Sequence, residues 1–125
     1  MSEGPIKGRI LIVDDSPSVV HVVTRFLGRR GYAVLSAGTA EDGVRLAGQG
    51  QADLILLDDG LPDRLGLLAI GEFKRVCKAP VILVTGYDSQ DIRVNAARLG
   101  ACAFLPKPLE LERLLGVIEE VLRKA

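Results

Sequence analysis

Asp53-Leu54-Ile55-Leu56-Leu57-Asp58 is the stretch whose reading decides the fold. Its four aliphatic side chains stand together with no polar residue between them. A strand with one wet face would alternate apolar and polar positions, and this run does not. It is also shorter than a helix. Together these traits indicate a strand covered on both faces, which is the habit of parallel sheets packed between helices.

The same signature recurs on either side. Arg9-Ile10-Leu11-Ile12-Val13 reads as strand one, and Pro80-Val81-Ile82-Leu83-Val84 as strand four. Tyr32 to Ser36 forms strand two, and Ala101 to Leu105 forms strand five. Helical segments fill the gaps. Ser16-Pro17 supplies an N-cap and a first-turn proline, and opens a helix carrying Val19, Val23, Phe26 and Leu27 on one side; Gly31 closes it. Thr39-Ala40-Glu41-Asp42 resembles a capping box, with Asp shorter than the usual Glu, and begins a second helix to about Gly48. Asp59 to Leu65 is a loop with Pro62 and Gly66 as breakers, followed by a helix to about Val76. A fourth helix runs from Asp91 to Leu99 and ends at Gly100. Pro108 opens the last helix, in which Leu111, Leu114, Leu115, Ile118, Val121 and Leu122 recur at helical spacing.

Five alternating strand-helix units in one domain imply an α/β fold with right-handed crossovers. Five are too few for an eight-stranded barrel. The expected architecture is a flavodoxin-like parallel sheet, order 2-1-3-4-5, with five helices on both faces. Residues 1–8 read as a flexible arm and 9–125 as the domain. The chain of 125 residues is 48% hydrophobic and 26% charged, with 16 basic and 16 acidic side chains. That neutral balance argues against a nucleic-acid-wrapping protein. Cys77 and Cys102 form no CxxC pair and only one histidine is present, which disfavours zinc; both thiols are expected to be buried. No leader and no bilayer-length apolar run is evident, so the expected compartment is the cytoplasm, without a membrane partner.

In sheets of this kind ligands bind beyond the carboxyl ends of the strands, near the switch point between strands one and three. Asp14 and Asp15 follow strand one, Asp58 ends strand three, Thr85 follows strand four and Lys107 follows strand five. Three crowded carboxylates repel unless a cation intervenes, and Mg²⁺ suits one or two carboxylates, waters and a phosphate. Lys107 offers a fixed positive charge and Thr85 a hydroxyl. The set suits transfer of a phosphoryl group to a carboxylate.

The segments Leu11-Ile12-Val13-Asp14-Asp15-Ser16, Leu57-Asp58-Asp59-Gly60-Leu61-Pro62, Val84-Thr85-Gly86 and Leu105-Pro106-Lys107-Pro108 resemble those of response-regulator receiver domains, from about Arg9 to Lys124. The resemblance implies that Asp58 is the phosphoacceptor. It implies that Asp15, Asp58 and the backbone carbonyl of Gly60 bind Mg²⁺, with Asp14 acting mainly through a metal-bound water. Thr85 and Lys107 would contact the phosphoryl oxygens. Phe104 matches the switch aromatic, which turns inward as Thr85 moves toward the phosphate. The donor would be a sensor histidine kinase or a histidine phosphotransfer protein. The surface of helix four, strand five and helix five would bind a target protein, an output domain or, as a homodimer, a second receiver, with no direct nucleic-acid contact. Such a domain catalyses only its own phosphorylation and dephosphorylation. It is expected to be either a stand-alone receiver or one excised from a longer regulator. Gly86 replaces the usual Ala, Leu65 stands where an Asp often precedes the loop glycine Gly66, and Gly60 and Tyr87 flank the path of attacking water.

Taken singly, these residues have ordinary roles. Adjacent aspartates usually cap helices or sit in loops, Lys107 could be a surface charge, and Thr85 could cap the next helix. Asp59 is expected to be exposed and not a metal ligand. His21 lies on the first helix beside an apolar stripe and is expected to serve as a surface or packing residue, not in phosphotransfer. Two other function classes fit less well. A phosphohydrolase with an aspartyl nucleophile commonly needs a second Asp two positions on, where Gly60 stands. A flavin-binding module would want a hydroxyl- and glycine-rich loop after strand one, where Asp14 and Asp15 would repel the phosphate.

Overall fold

The computed structural model describes residues 5–87 and 89–125. Its elements run β1 (Gly8–Val13), α1 (Pro17–Gly28), β2 (Tyr32–Ala37), α2 (Ala40–Gly48), β3 (Leu54–Asp58), α3 (Gly66–Val76), β4 (Val81–Thr85), α4 (Gln90–Leu99), β5 (Ala101–Pro106) and α5 (Leu111–Lys124). All strand pairs are parallel, in the order β2-β1-β3-β4-β5. The expected flavodoxin-like α/β architecture is therefore present.

Strand side chains alternate between faces, and the core divides accordingly. Leu11, Val13, Ile55, Leu57, Val81 and Leu83 share one buried cluster with Ala69, Ile70 and Phe73 of α3 and Ala96 of α4. Ile10, Ile12, Leu54, Leu56, Ile82 and Val84 share the other with Val23 and Leu27 of α1 and Leu114 and Ile118 of α5. So α2, α3 and α4 cover one face, and α1 and α5 the other. Leu114 and Ile118 are wholly buried, and each such side chain stabilises the docked helix by roughly 2 kcal/mol.

The caps largely follow the local chemistry. Ser16 Oγ accepts from Val19 N, Thr39 Oγ1 from Asp42 N at 3.1 Å, and Ser89 Oγ from Ile92 N at 3.2 Å. Ser89, not Thr85, caps α4. The Asp42 carboxylate pairs with Arg45 at 3.6 Å, so the reciprocal half of the expected capping box is replaced by an ion pair.

Several boundaries differ from the sequence reading. Gly8 belongs to β1 and Lys7 N donates to Gly31 O at 2.8 Å, so the sheet reaches into the expected arm. Residues 1–4 lie outside the described residues. Helix α1 ends at Gly28, and Gly31 serves instead in the turn into β2, where its φ of 94° suits a residue without Cβ. Pro108 does not open the last helix. It follows a cis peptide bond in the loop after β5, and α5 begins at Leu111. Asp53 lies just before β3, where its carboxylate accepts from Arg9 N at 2.8 Å and joins the β1 and β3 margins. The cysteines are not both buried: Cys77 is half-buried and Cys102, on the edge strand β5, is exposed. At the far end of the molecule, Gly8 packs against α5 so tightly that an added Cβ would lie 3.2 Å from Leu122 Cδ1. Among the described residues no helix is long and apolar enough to cross a membrane.

Candidate functional site

Parallel strands bring their carboxyl ends to one rim, and the polar residues collect there. Asp14 and Asp15 lie immediately beyond β1, where Asp14 N is tied to Ala37 O at 3.0 Å. The Asp14 carboxylate accepts from Ser16 N at 2.9 Å, which turns the chain into α1. Asp58 ends β3 and is 4% exposed. Carboxylate oxygens of Asp14, Asp15 and Asp58 all lie within 4.8 Å of one another.

Lys107 enters from the loop after β5, its backbone N donating to Thr85 O at 2.9 Å. Its ammonium reaches Asp58 Oδ1 at 2.5 Å. Gly60 N donates to the other oxygen, Asp58 Oδ2, at 3.0 Å. Burial acts to lower the Lys107 pKa, but the hydrogen bond to Asp58 and the charges of Asp58, Asp14 and Asp15 outweigh it and hold the group above the ordinary lysine range. Burial raises the Asp14 pKa. The Ser16 hydrogen bond opposes that rise and the nearby Asp58 adds to it. One lysine thus compensates three carboxylates only in part. The donor set, three hard oxygens with exposed Asp15 open to water, fits a hard divalent cation.

Thr85 is on the same rim but does not join this cluster. Alternation along the strands puts Thr85 and Asp59 on the α3 side, and Asp58 and Lys107 on the α1 side. The Thr85 hydroxyl donates to Asp59 Oδ2 at 3.2 Å and accepts from Tyr87 N at 3.1 Å. Asp59 is therefore not a free surface carboxylate, as the sequence had suggested. It is half-buried, and its Oδ1 accepts from Leu67 N at 2.9 Å. Phe104 is half-buried against the α3 side core, with the Arg93 guanidinium 4.7 Å from its ring centroid.

The loop between β3 and α3 is braced from several directions. Gly66 N donates to Asp59 O at 2.9 Å, and Gly60 and Leu65 form an isolated bridge. A Cβ at Gly66 would overlap the backbone carbonyl of Asp58, so glycine is required there by close approach. Asp63, which the sequence reading did not single out, accepts from Ala40 N at 2.9 Å and Glu41 N at 3.0 Å. These bonds from the start of α2 hold its carboxyl below the usual range. His21 is exposed, the first of its two expected placements. Beside the acidic cluster a cleft of about 600 Å³ extends between Ser18, Val19 and Val22 of α1 and Pro108, Leu109 and Leu111.

The family model described as "Response regulator receiver domain" matches residues 10–119. The chain belongs to this receiver family. It is 39% identical over 117 residues to protein PilH of Pseudomonas aeruginosa, covering 91% of this chain and 97% of PilH. Several other curated relatives are transcriptional regulators of which the receiver spans about half the length. A CheY-like receiver domain protein from Methanospirillum hungatei superposes with a TM-score of 0.88 at 33% identity, over 94% of each chain. A response regulator from Burkholderia pseudomallei, solved with a phosphorylated aspartic acid, a calcium ion and citrate, gives 0.81 at 29% identity. That match covers 95% of the receiver and 76% of the other chain. The protein is a receiver domain of two-component signalling.

Proposed function

We propose that Asp58 accepts a phosphoryl group from a phosphohistidine on a sensor histidine kinase or phosphotransfer protein, with Mg²⁺ as cofactor. The observation that carries this reading is Lys107 seated 2.5 Å from Asp58 Oδ1, beside two further carboxylates. A positive charge held beside Asp58 is within reach of the oxygens of a group attached there and can stabilise them. Asp15, Asp58 and the Gly60 carbonyl would hold the cation, and Asp14 would act through a bound water. When bound, the cation neutralises carboxylate and phosphoryl charge.

In transfer, an O–P bond to Asp58 forms as the donor N–P bond breaks, and the released imidazole takes up a proton. Gly60 N and Lys107 orient the nucleophilic carboxylate before the donor arrives. The cleft walled by Val19, Val22 and Pro108 is a docking place for the donor's apolar surface. Once phosphorylated, Asp58 carries added charge and strong acceptors. Thr85 would then turn toward them and Phe104 inward, changing the α4-β5-α5 surface offered to a target protein, an output domain or a second receiver. The finding that the B. pseudomallei regulator carries a phosphorylated aspartic acid supports the reading. In this proposal the domain works in the cytoplasm, and its only chemistry is gain and loss of its own phosphoryl group.

The test is incubation with acetyl phosphate, with and without Mg²⁺, followed by intact-mass spectrometry. Gain of one phosphoryl group only with Mg²⁺, abolished in Asp58→Asn, is expected. No gain in the wild type, or an equal gain in the variant, refutes the assignment.

A further inference from the structure

The Thr85 hydroxyl has one proton, and it is committed to Asp59. A hydroxyl donates once and accepts up to twice, and here the accepting side is already met by Tyr87 N at 3.1 Å. The proton goes to Asp59 Oδ2 at 3.2 Å. Asp59 itself is fixed. Its backbone N donates to Val84 O at 2.9 Å, its carbonyl accepts from Gly66 N at 2.9 Å, and its second carboxylate oxygen accepts from Leu67 N at 2.9 Å. Thr85 is fully buried, so it cannot exchange this partner for bulk water without the site opening.

We propose that Asp59 is a positioning residue that latches Thr85 in its resting place and competes with the phosphoryl group for its proton. The inference rests on the reading of Asp58 as phosphoacceptor and deepens it. For Thr85 to donate to a phosphoryl oxygen, the hydrogen bond to Asp59 must break, and bonds to ionised acceptors are among the stronger kind. Asp59 therefore biases the receiver toward its unphosphorylated arrangement. A chain with an apolar residue in this place would lack that bias. The carboxylate is also bound to the first turn of α3, so release of Thr85 leaves one firm hydrogen bond behind and the loop stays braced.

The experiment is a titration with beryllofluoride, a phosphoryl mimic, in saturating Mg²⁺, followed by calorimetry. It compares wild type, Asp59→Asn, Asp59→Ala, Thr85→Ala and the Asp59→Asn/Thr85→Ala double variant, with circular dichroism to verify folding. Removal of the latch is expected to tighten mimic binding about tenfold, or about 1.4 kcal/mol, in Asp59→Ala. Asp59→Asn keeps one acceptor oxygen for two donors and falls between. Loss of a negative charge near an anion also tightens binding, but that part is independent of Thr85. In the Thr85→Ala background the gain from Asp59→Asn should therefore shrink to the charge part alone. An equal gain in both backgrounds, or no gain in the wild-type background, overturns the latch. If Asp59→Ala fails to fold, the asparagine pair decides alone. No mimic binding and no phosphorylation in the wild type would remove the Asp58 reading and the latch with it. Normal wild-type binding with unaltered variants removes only the latch.

Discussion

Gly66 stands against the backbone carbonyl of Asp58, with no room for a methyl group between them. The first residue of α3 thereby sets how closely the helix approaches the end of β3. The obstructing atoms are backbone, which yields less readily than the tip of a flexible side chain. Gly66→Ala is expected to cost about 1–3 kcal/mol, toward the upper end. Urea denaturation would measure this, and Mg²⁺ affinity should fall in parallel because the Asp58–Gly60 segment is displaced. An unchanged midpoint would show that the loop yields freely.

Stability should depend on pH and Mg²⁺ together. The folded protein holds the Asp14 proton more tightly than the unfolded chain does, through burial and the charge of Asp58 against the opposing Ser16 bond. This group's contribution is therefore complete below the ordinary carboxylate pKa of about 4, and declines as pH rises through the elevated folded value. Mg²⁺ bound at the proposed site would relieve the same repulsion. Added Mg²⁺ should raise Tm more at pH 7 than at pH 5, and Asp14→Asn should raise the metal-free Tm while weakening Mg²⁺ binding. Calorimetric melts at both pH values, with and without metal, check all three.

Lys107→Met separates charge balance from phosphoryl contact. Removal of the ammonium deprives Asp58 of its 2.5 Å partner and leaves the carboxylates more negative. Mg²⁺ affinity should stay level or rise, while beryllofluoride affinity should fall at least about tenfold, since a charge-assisted contact is lost. Parallel titrations of the two ligands make the comparison, and a joint loss of both would point to a collapsed site instead.

Asp53 offers a contrast far from the rim. Its pKa is held down by the side-chain hydrogen bond from Arg9 and then by the backbone one. Its stabilisation is thus present above the ordinary carboxylate pKa and lost as pH falls through the lowered folded value. The pair is 40% and 43% exposed, so solvent screening keeps the effect small. Asp53→Ala should cost about 0.5–1.5 kcal/mol by denaturation at pH 7, with less effect near pH 2. Phosphorylation of Asp58 should be unaltered.

The strands were legible because both faces of the sheet are covered. Leu54-Ile55-Leu56-Leu57 had to be apolar throughout, and a solvated sheet would have left a more ambiguous alternation. Cys102 was misread for the complementary reason: β5 is the edge strand beside β4, and an edge strand need not be buried. Pro108 misled because its fixed φ suits a helix start and a turn alike. The acidic cluster was readable from the strand ends, yet the partnership of Thr85 was not. Strand parity held the clue, since Asp59 continues the series of Ile55 and Leu57, and Thr85 that of Val81 and Leu83. Asp63 left no local trace, because its partners Ala40 and Glu41 lie on another element and only the tertiary fold brings them near.

Leu122 beside Gly8 has an engineering consequence. The entry of the first strand and the exit of the last helix are neighbours on the side remote from Asp58. A segment spliced in before β1 or after α5 would leave the domain on the side away from the chemistry, and a short peptide bridge could join the start of β1 to the end of α5 in a ring. New termini could then be cut elsewhere on the surface with the acidic rim left intact.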